Sequence, residues 1–269
     1  MANGKSPFAT PTEKRSPFPR KSLPQAGESS QEAAFDLVFG SFICTASVAV
    51  TIAIMAGTEL FAERLGARIS AWHWLISAAG FGAVAVWQWF RMKPQLANLR
   101  LGIRGEREVG RMLEELRALG YSVFHDIPGD GFNIDHALIG PGGVFAIETK
   151  TFSKPVGRRG EVHYDGKRVL IDGQTPDRDP VAQAQASADH LRDIFKRMAD
   201  YDVLPRPVVL FPGWWVTCRA KHARVWVLNV KALPTFVANE PSTLRREEIA
   251  LLVDRLTLHL SSEIGRAHV

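Results

Sequence analysis

Residues 133–150, NIDHALIGPGGVFAIETK, decide the fold of the C-terminal part of the chain. Two apolar runs flank a turn at Gly140-Pro141-Gly142-Gly143, a pattern that predicts a β-hairpin. With Pro141 and Gly142 at the turn centre, Asp135 lies opposite Glu148, because residues equally far from the centre pair across a hairpin. Lys150 follows two residues later and therefore shares a face with Glu148. Two carboxylates and an ammonium are thus predicted to meet on one sheet face.

The strands around this cluster are apolar on both faces, which is typical of a central, buried strand. Burying unpaired charges costs free energy, so we expect a bound cation and a salt-bridged lysine to neutralise the two carboxylates. Hard oxygen ligands suit Mg²⁺, and we predict a site for Mg²⁺ or Mn²⁺ held by Asp135, Glu148 and the carbonyl of Thr149. Lys150 could orient a water molecule or stabilise charge that develops on a phosphoryl group. The alternative is an ordinary acid–lysine pair on a solvated face.

The segment from residue 102 to about residue 198 resembles the nuclease-related domain (NERD), a family similar to the restriction-endonuclease-like superfamily. The matching pieces, in the family's order, are Gly102-Ile-Arg-Gly105-Glu106, Asn133-Ile-Asp135-His136, Ile139-Gly140-Pro141-x-Gly143-Val-Phe145, Ile147-Glu148-Thr-Lys150 and Pro180-Val-x-Gln183. The resemblance implies an α/β fold with a mixed sheet flanked by helices. It also implies a catalytic or metal-binding role for Glu106, Asp135, Glu148 and Lys150, with Gln183 as an accessory.

Glu106 lies on a predicted helix. Apolar residues recur at helical spacing over residues 105–119, which predicts an amphipathic helix that Gly120 ends. Glu106 and Glu108 lie about equally far from its apolar stripe, on opposite sides. Geometry alone does not choose between them, and only the resemblance selects Glu106.

Gln183 lies in the first turn of another helix, which Asp179 is predicted to cap with Pro180 at its first position. It is off the apolar stripe, so a solvated glutamine is an equal alternative. Trp214 and Trp215 are predicted to serve packing rather than base stacking. The remaining elements complete an α/β sandwich around a mixed sheet. They are strands over 161–164, 167–171, 207–210, 215–217 and 224–230, and helices over 233–238 and 245–260.

The first third of the chain has a different composition. Residues 1–34 are rich in Pro, Ser, Lys and Arg, which predicts a disordered segment. Residues 37–57 and 71–90 contain no Asp, Glu, Lys or Arg, and each is long enough to cross a bilayer as a helix. Tryptophans at the ends of the second stretch suit the headgroup interface. These features predict two transmembrane helices over 35–92, followed by the nuclease-like domain over 101–262.

A signal peptide and a helical hairpin buried in a soluble core are the two alternatives to this membrane hairpin. A signal peptide is disfavoured because the first stretch starts far from the N-terminus and is followed by a second one. A helical hairpin buried in a soluble core is disfavoured by the length of both stretches.

Basic residues predict the orientation of the hairpin. They lie before the first stretch and after the second, whereas the loop over 58–70 has two arginines offset by two glutamates. By the positive-inside rule, both termini and the nuclease-like domain should be cytoplasmic. The expected location is the inner or plasma membrane of a bacterium. The flanking basic residues are Lys14, Arg15, Arg20, Lys21, Arg91, Lys93, Arg100 and Arg104.

Charge and cysteine content indicate which binding partners (lipid, nucleic acid or zinc) the chain could have. The net charge of +5 is modest, and part of it is juxtamembrane, where anionic lipid would explain it. Five basic residues near the predicted site strands could follow a phosphate backbone, although a solvated basic loop explains them equally well. The two cysteines offer no zinc spacing. The five basic residues are Lys154, Arg158, Arg159, Lys167 and Arg168.

Two functions remain open from the sequence. The first is a membrane-anchored, metal-dependent nuclease that acts on DNA, or on RNA, as an endonuclease or exonuclease. The second is a non-catalytic, membrane-tethered module that binds nucleic acid or a protein with the same cleft. Residues 263–269 read as the translation of a common sequencing-adapter DNA, so His268 carries no functional argument.

Overall fold

The computed structural model describes residues 25–26, 31, 35–36, 39–64, 72–129, 131–154, 160–220 and 223–266. Two helices lead into a mixed α/β domain. In chain order the elements are a π-helical turn Phe39–Ile43, α1 Cys44–Arg64, α2 Trp72–Glu115, a 3₁₀ turn Leu116–Leu119, β1 Ser122–Pro128, β2 Asn133–Gly140, β3 Gly143–Thr149, β4 Glu161–Tyr164, β5 Val169–Ile171, α3 Pro180–Ala199, β6 Arg206–Leu210, β7 Trp215–Cys218, β8 Trp226–Leu228, a 3₁₀ turn Val230–Ala232, α4 Leu233–Ala238 and α5 Arg246–Arg266. The predicted disorder of residues 1–34 lies almost entirely outside the described residues.

Helices α1 and α2 pack against each other as an antiparallel pair. Ala56 of α1 has no exposed surface and Ala85 of α2 is also buried, so small residues lie at the contact. The Thr45 hydroxyl donates to Gln88 Oε1 at 3.0 Å, which pairs two polar groups between the helices. The predicted helical hairpin is therefore present, but α1 continues to Arg64, further than the predicted loop over 58–70 allows.

The prediction of two membrane spans is supported for one helix only. Among the described residues, Thr45–Ala62 is the single helical stretch long and apolar enough to cross a membrane, and only 6% of it is buried within the chain. The second predicted span, 71–90, falls short because His73, Gln88 and its tryptophans lower the mean hydropathy. A transmembrane hairpin is thus not established by composition.

Helix α2 is unexpectedly long and joins the two parts of the chain. It runs for 44 residues with Pro94 inside it, about 66 Å at the rise of an α-helix. The helix predicted over 105–119 is its C-terminal portion rather than a separate element. The α-helix ends at Glu115, and the 3₁₀ turn that follows it ends, as predicted, at Gly120, whose φ of 84° is left-handed and whose N–H donates to the Arg117 carbonyl.

The strands form two sheets, whereas one was predicted. The larger has the order β1-β2-β3-β6-β8 and the smaller the order β5-β4-β7. In the larger sheet β1, β2 and β3 are antiparallel, and β6 and β8 continue it in parallel with β3. Strand β1 was not predicted, because His125 and Asp126 interrupt its apolar pattern. The parallel pairing of β4 with β7 joins Glu161 to Trp215, which no local pattern encodes.

Helices cover both faces of the larger sheet. On one face, α2 packs through Val109 and Leu113 onto Phe145 of β3. On the other face, α3 and α5 pack through Leu191 and Leu256 onto the hairpin of β2 and β3. The smaller sheet packs its inner face on the start of α3 and on β6. This arrangement brings the C-terminal end of β3 close to α2, α3 and the smaller sheet.

Candidate functional site

The hairpin of β2 and β3 has the predicted register. The pairs run from His136 with Ile147 to Gly140 with Gly143, so the next pair outward is Asp135 with Glu148. Asp135 Oδ2 accepts a hydrogen bond from the Thr149 amide at 2.6 Å. The two carboxylate residues are therefore neighbours across the two strands, as the turn geometry predicted.

Lys150 forms the predicted ion pair with Glu148. Its ammonium lies 2.6 Å from Glu148 Oε1, and the Glu148 residue is only 7% exposed. Glu148 lies beside Val209 of β6, and the Lys150 amide extends this pairing by donating to the Leu210 carbonyl at 2.8 Å. Both backbones are thus held by neighbouring strands, which restricts the positions that the two charged groups can take.

Glu106 is brought to this cluster by a close contact between α2 and the residues after β3. Gly105 lies against Thr151, and a Cβ at this position would be 2.0 Å from Thr151 Cγ2. Only glycine allows the helix to approach so closely. Glu106 is partly buried, whereas Glu108 on the other side of the helix is exposed. The structure thus distinguishes the two glutamates that the helical spacing left equivalent.

The cluster holds more negative than positive charge. Burial, and then the carboxylates of Glu148 and Glu106, raise the pKa of Asp135 well above its usual value, against the opposing effects of the Thr149 amide and Lys150. Three carboxylates and one ammonium carry two excess negative charges when all are ionised. A divalent cation would balance that excess, and carboxylate oxygens are the donors that Mg²⁺ and Mn²⁺ take.

The oxygen atoms of the predicted metal ligands suit such a cation in chemistry. Asp135 and Glu148 are paired across the hairpin, and Thr149 lies between Glu148 and Lys150. Within the described part of the chain, no group of three or more His, Cys, Asp or Glu side chains has metal-binding geometry. The predicted set has only two such side chains, Asp135 and Glu148, together with the main-chain carbonyl of Thr149. That finding therefore does not test it, and the metal site stays a prediction.

Gln183 is placed on the helix that packs over the same sheet face as Asp135 and Glu148. Asp179 caps this helix by accepting from the Val181 amide at 2.9 Å, with Pro180 at the first position, as predicted. Gln183 Oε1 is buried and has no hydrogen-bond partner among the described residues. The alternative of a fully solvated glutamine is therefore wrong for this atom.

A histidine pair that was not predicted from the sequence lies behind the site, with one member buried and the other partly buried. His136 has no exposed surface, and its Nδ1 is 2.8 Å from His125 Nδ1 on β1. His125 Nε2 in turn lies 3.2 Å from Glu114 Oε1 on α2. Burial lowers the pKa of both histidines, that of His136 well below its usual value.

The donors and acceptors in the hydrogen-bonded row His136–His125–Glu114 can be assigned from Glu114, the acceptor at one end. The Glu114 carboxylate only accepts, so His125 Nε2 donates and His125 Nδ1 accepts from His136 Nδ1. The network therefore ties α2, β1 and β2 together with neutral imidazoles. Its only sequence signal was His136 directly after Asp135. Gly105 gave a comparable signal, since a glycine inside a helix costs about 1 kcal/mol and calls for a packing reason.

Comparison with known proteins finds a match in the region that contains the candidate site. No curated protein and no solved structure matches the chain. Residues 101–212 match the family model of the nuclease-related domain. The match begins in α2 just before Gly105 and Glu106, contains the hairpin with Asp135, Glu148 and Lys150, and ends after β6. The chain therefore carries a nuclease-related domain (NERD) over residues 101–212.

Proposed function

We propose that this domain is a metal-dependent phosphodiesterase that hydrolyses nucleic acid, DNA in the first instance, at the cluster of Asp135, Glu148 and Lys150. The observation that carries the proposal is the pairing of two carboxylate residues at one strand end, with an ammonium 2.6 Å from one of them. A solvated ion pair does not need such burial, and Glu148 lies within a strand whose residues are buried.

The residues of the cluster have separable roles in this proposal. Asp135, Glu148 and the Thr149 carbonyl hold a divalent cation, with Glu106 adding negative charge beside Asp135. When bound, the cation supplies Lewis acidity to the phosphoryl group and lowers the pKa of an attacking water. An ammonium has three protons to donate. Lys150 uses one of them on Glu148, so another can stabilise charge that develops on a phosphate oxygen.

Gln183 has an accessory role in the same proposal. Its Oε1 is a buried acceptor with no partner among the described residues, and leaving such a group unpaired costs free energy. A water molecule or a substrate group at the site would satisfy it. Gln183 would then help to position that group beside the carboxylates.

We also propose that α1 and the apolar half of α2 anchor the domain to a membrane. Arg91 lies 4.8 Å from the Trp87 ring and Lys93 lies 4.9 Å from the Phe90 ring. Aromatic and basic side chains of this kind anchor helix ends at the headgroup level. Glu106 follows Phe90 by 16 residues in sequence, about 24 Å along a straight helix. The site would thus face the cytoplasm close to the bilayer.

The test is a cleavage assay of the full chain in detergent with labelled DNA and RNA, in Mg²⁺, in Mn²⁺ and in EDTA. Truncation at residue 101 would cut α2 shortly before Glu106, so the full chain is the better material. Glu106→Gln should lower metal-dependent cleavage, whereas Glu108→Gln, on the same helix but exposed, should cleave like the wild type. A folded wild type that is inert toward all substrates, or equal losses in both variants, would contradict the proposal.

A further inference from the structure

The outer face of the smaller sheet carries an exposed tryptophan beside the candidate site. Trp215 is 54% exposed, while Trp214 before it is 2% exposed and packs in the core. Trp215 pairs with Glu161 of β4, and two residues further along Thr217 pairs with His163. Since successive side chains of a strand alternate between faces, Trp215, His163 and Thr217 share the outer face. The packing role predicted from sequence thus holds for Trp214, whereas Trp215 faces outward.

This face lies close to the proposed catalytic cluster along the chain. The Leu210 carbonyl accepts from the Lys150 amide. Trp215 follows Leu210 by five residues, which limits their separation to about 17 Å of extended chain. Strand β7 lies beyond the residues that match the nuclease-related domain, which end at 212. The exposed tryptophan therefore lies just outside the matched residues, on a strand that pairs with β4 inside them.

Exposed cations lie at both ends of the same small sheet. Lys154 lies at the end where β7 begins, where its ammonium donates to the Gly213 carbonyl. Lys167 and Arg168 are in the turn at the other end, beside Arg219, whose amide donates to the Tyr164 carbonyl at 3.0 Å. A polyanion that lies across the sheet would thus contact positive charge at both ends of it.

One carboxylate on this face opposes that reading. Glu161 lies beside Trp215, and its Oε2 is 3.3 Å from His163 Nε2. Its charge would repel a phosphate, which makes it a useful test position. Asp165, in the turn with Lys167 and Arg168, and Asp172, beside Glu161, are also exposed, so four exposed cations stand against three carboxylates on and around the face.

We infer that the outer face of β4 and β7 is the platform on which single-stranded nucleic acid lies, with one base stacked on Trp215. This inference rests on the proposed nuclease function, since it names the form of substrate that reaches the catalytic cluster. Aromatic side chains within a positively charged surface are the usual way to hold a single strand without reading its sequence. The backbone phosphates are held by Lys154 on one side and by Arg219 with its basic neighbours on the other.

The experiment measures binding of a fluorescent single-stranded oligodeoxynucleotide to the full chain in detergent, by anisotropy in EDTA, so that no cleavage occurs. Trp215→Ala should weaken binding by about 5- to 150-fold, the range found when a stacked base loses its aromatic partner. Trp215→Phe keeps a ring and should bind within a few-fold of wild type. Leu204→Ala removes a side chain that is 72% exposed outside this sheet, and it is the matched control.

Two charge variants test the phosphate path. Arg219→Ala should lower the slope of log affinity against log salt by about 0.7, the value for one contact to a single strand. Glu161→Gln should tighten binding. Thermal unfolding of each variant checks that its fold is kept, and the Arg219 and Glu161 variants carry the test if Trp215→Ala unfolds.

The same samples, assayed with Mg²⁺ or Mn²⁺, separate this inference from the proposed function. Wild type that binds and cleaves, with Trp215→Ala raising KM while kcat is unchanged, supports both. Wild type that cleaves while Trp215→Ala binds and cleaves equally well overturns the platform and leaves the nuclease intact. Binding that depends on Trp215 without cleavage in any metal leaves the platform and removes the nuclease. Wild type that neither binds nor cleaves removes both.

Discussion

Replacing Gly105 by alanine would place a methyl group inside the contact between α2 and Thr151. The new Cβ would lie 2.0 Å from Thr151 Cγ2 and 3.4 Å from Thr151 Cβ, whereas carbon atoms in contact prefer about 3.5–4.0 Å. Either the Thr151 side chain must rotate away or the helix and the strand end must separate by roughly 1.5 Å, and such overpacking costs about 1–3 kcal/mol. Alanine returns about 1 kcal/mol of helix propensity.

Gly102→Ala is the matched control for this cost. Its Cβ would meet only Thr151 Oγ1, at 4.0 Å, which is an ordinary contact. Both variants gain the same helix propensity, so the difference between them isolates the overpacking cost of about 1–3 kcal/mol. For a domain of this size that corresponds to a difference of about 2–12 °C in thermal midpoint. Circular dichroism of the full-length chain in detergent measures it.

The same displacement should reach the chemistry, because Gly105 sets the position of Glu106 relative to Asp135. A misplacement of about 1 Å can cost about 100-fold in rate, so Gly105→Ala should cleave at least that much more slowly than Gly102→Ala. Thr151→Ala removes the Cγ2 in the way, and the double variant should recover most of the stability and activity. Equal midpoints and equal rates for the two single variants would refute the packing argument. Equal midpoints alone would refute it even if the protein proves to be no nuclease.

Other changes test the charges and the topology. Because the pKa of Asp135 is raised, its ionisation opposes folding and, without metal, contributes a decline in stability as pH rises from about 4, near the unfolded pKa. The lowered pKa values of His125 and His136 act in the opposite direction up to about pH 6.5, so the comparison with a variant isolates the contribution of Asp135. Asp135→Asn should lack that decline in urea unfolding from pH 4 to 8, and an unchanged slope would contradict it. Glu148→Gln should stop cleavage while metal-free binding of nucleic acid, measured by anisotropy, stays equal or tightens; retained cleavage would remove Glu148 from the site. Lys150→Ala should stop cleavage yet leave Mn²⁺ affinity in calorimetry equal or higher, whereas Asp135→Ala should weaken it. A reporter fused after Lys93 should be cytoplasmic and one inserted at Ala67 external; the same side for both would rule out a span by α1 and α2.

The hairpin and the salt bridge could be predicted because they depend on local geometry. A tight turn at Pro141 and Gly142 leaves one register for two apolar strands, so the pairing of Asp135 with Glu148 follows by counting. The spacing of Glu148 and Lys150 by two residues then places them on one face. Capping by Asp179 and termination at Gly120 are equally local, since both depend on a few successive residues.

The rest of the fold depends on contacts between residues far apart in sequence. Strand β1 contains the polar residues His125 and Asp126, so its sequence lacks the apolar pattern of a strand. Only the folded structure shows that His125 is paired with His136 on β2. The division into two sheets depends on Trp215 meeting Glu161, a pairing across more than fifty residues.

By itself, the sequence determined the short-range chemistry of the site: two carboxylates in register, a lysine on the same face, and a glutamate on a helix of otherwise ambiguous orientation. The helical spacing left Glu106 and Glu108 equivalent, and the resemblance selected Glu106; the tertiary structure gave the physical basis for that choice and alone decided that Trp215 faces outward. The physical reason is that hydrogen bonds in a hairpin act between near neighbours, whereas the approach of a helix to a strand depends on close packing. A methyl group at Gly105 would be enough to prevent that approach, and only the folded chain shows what it would meet.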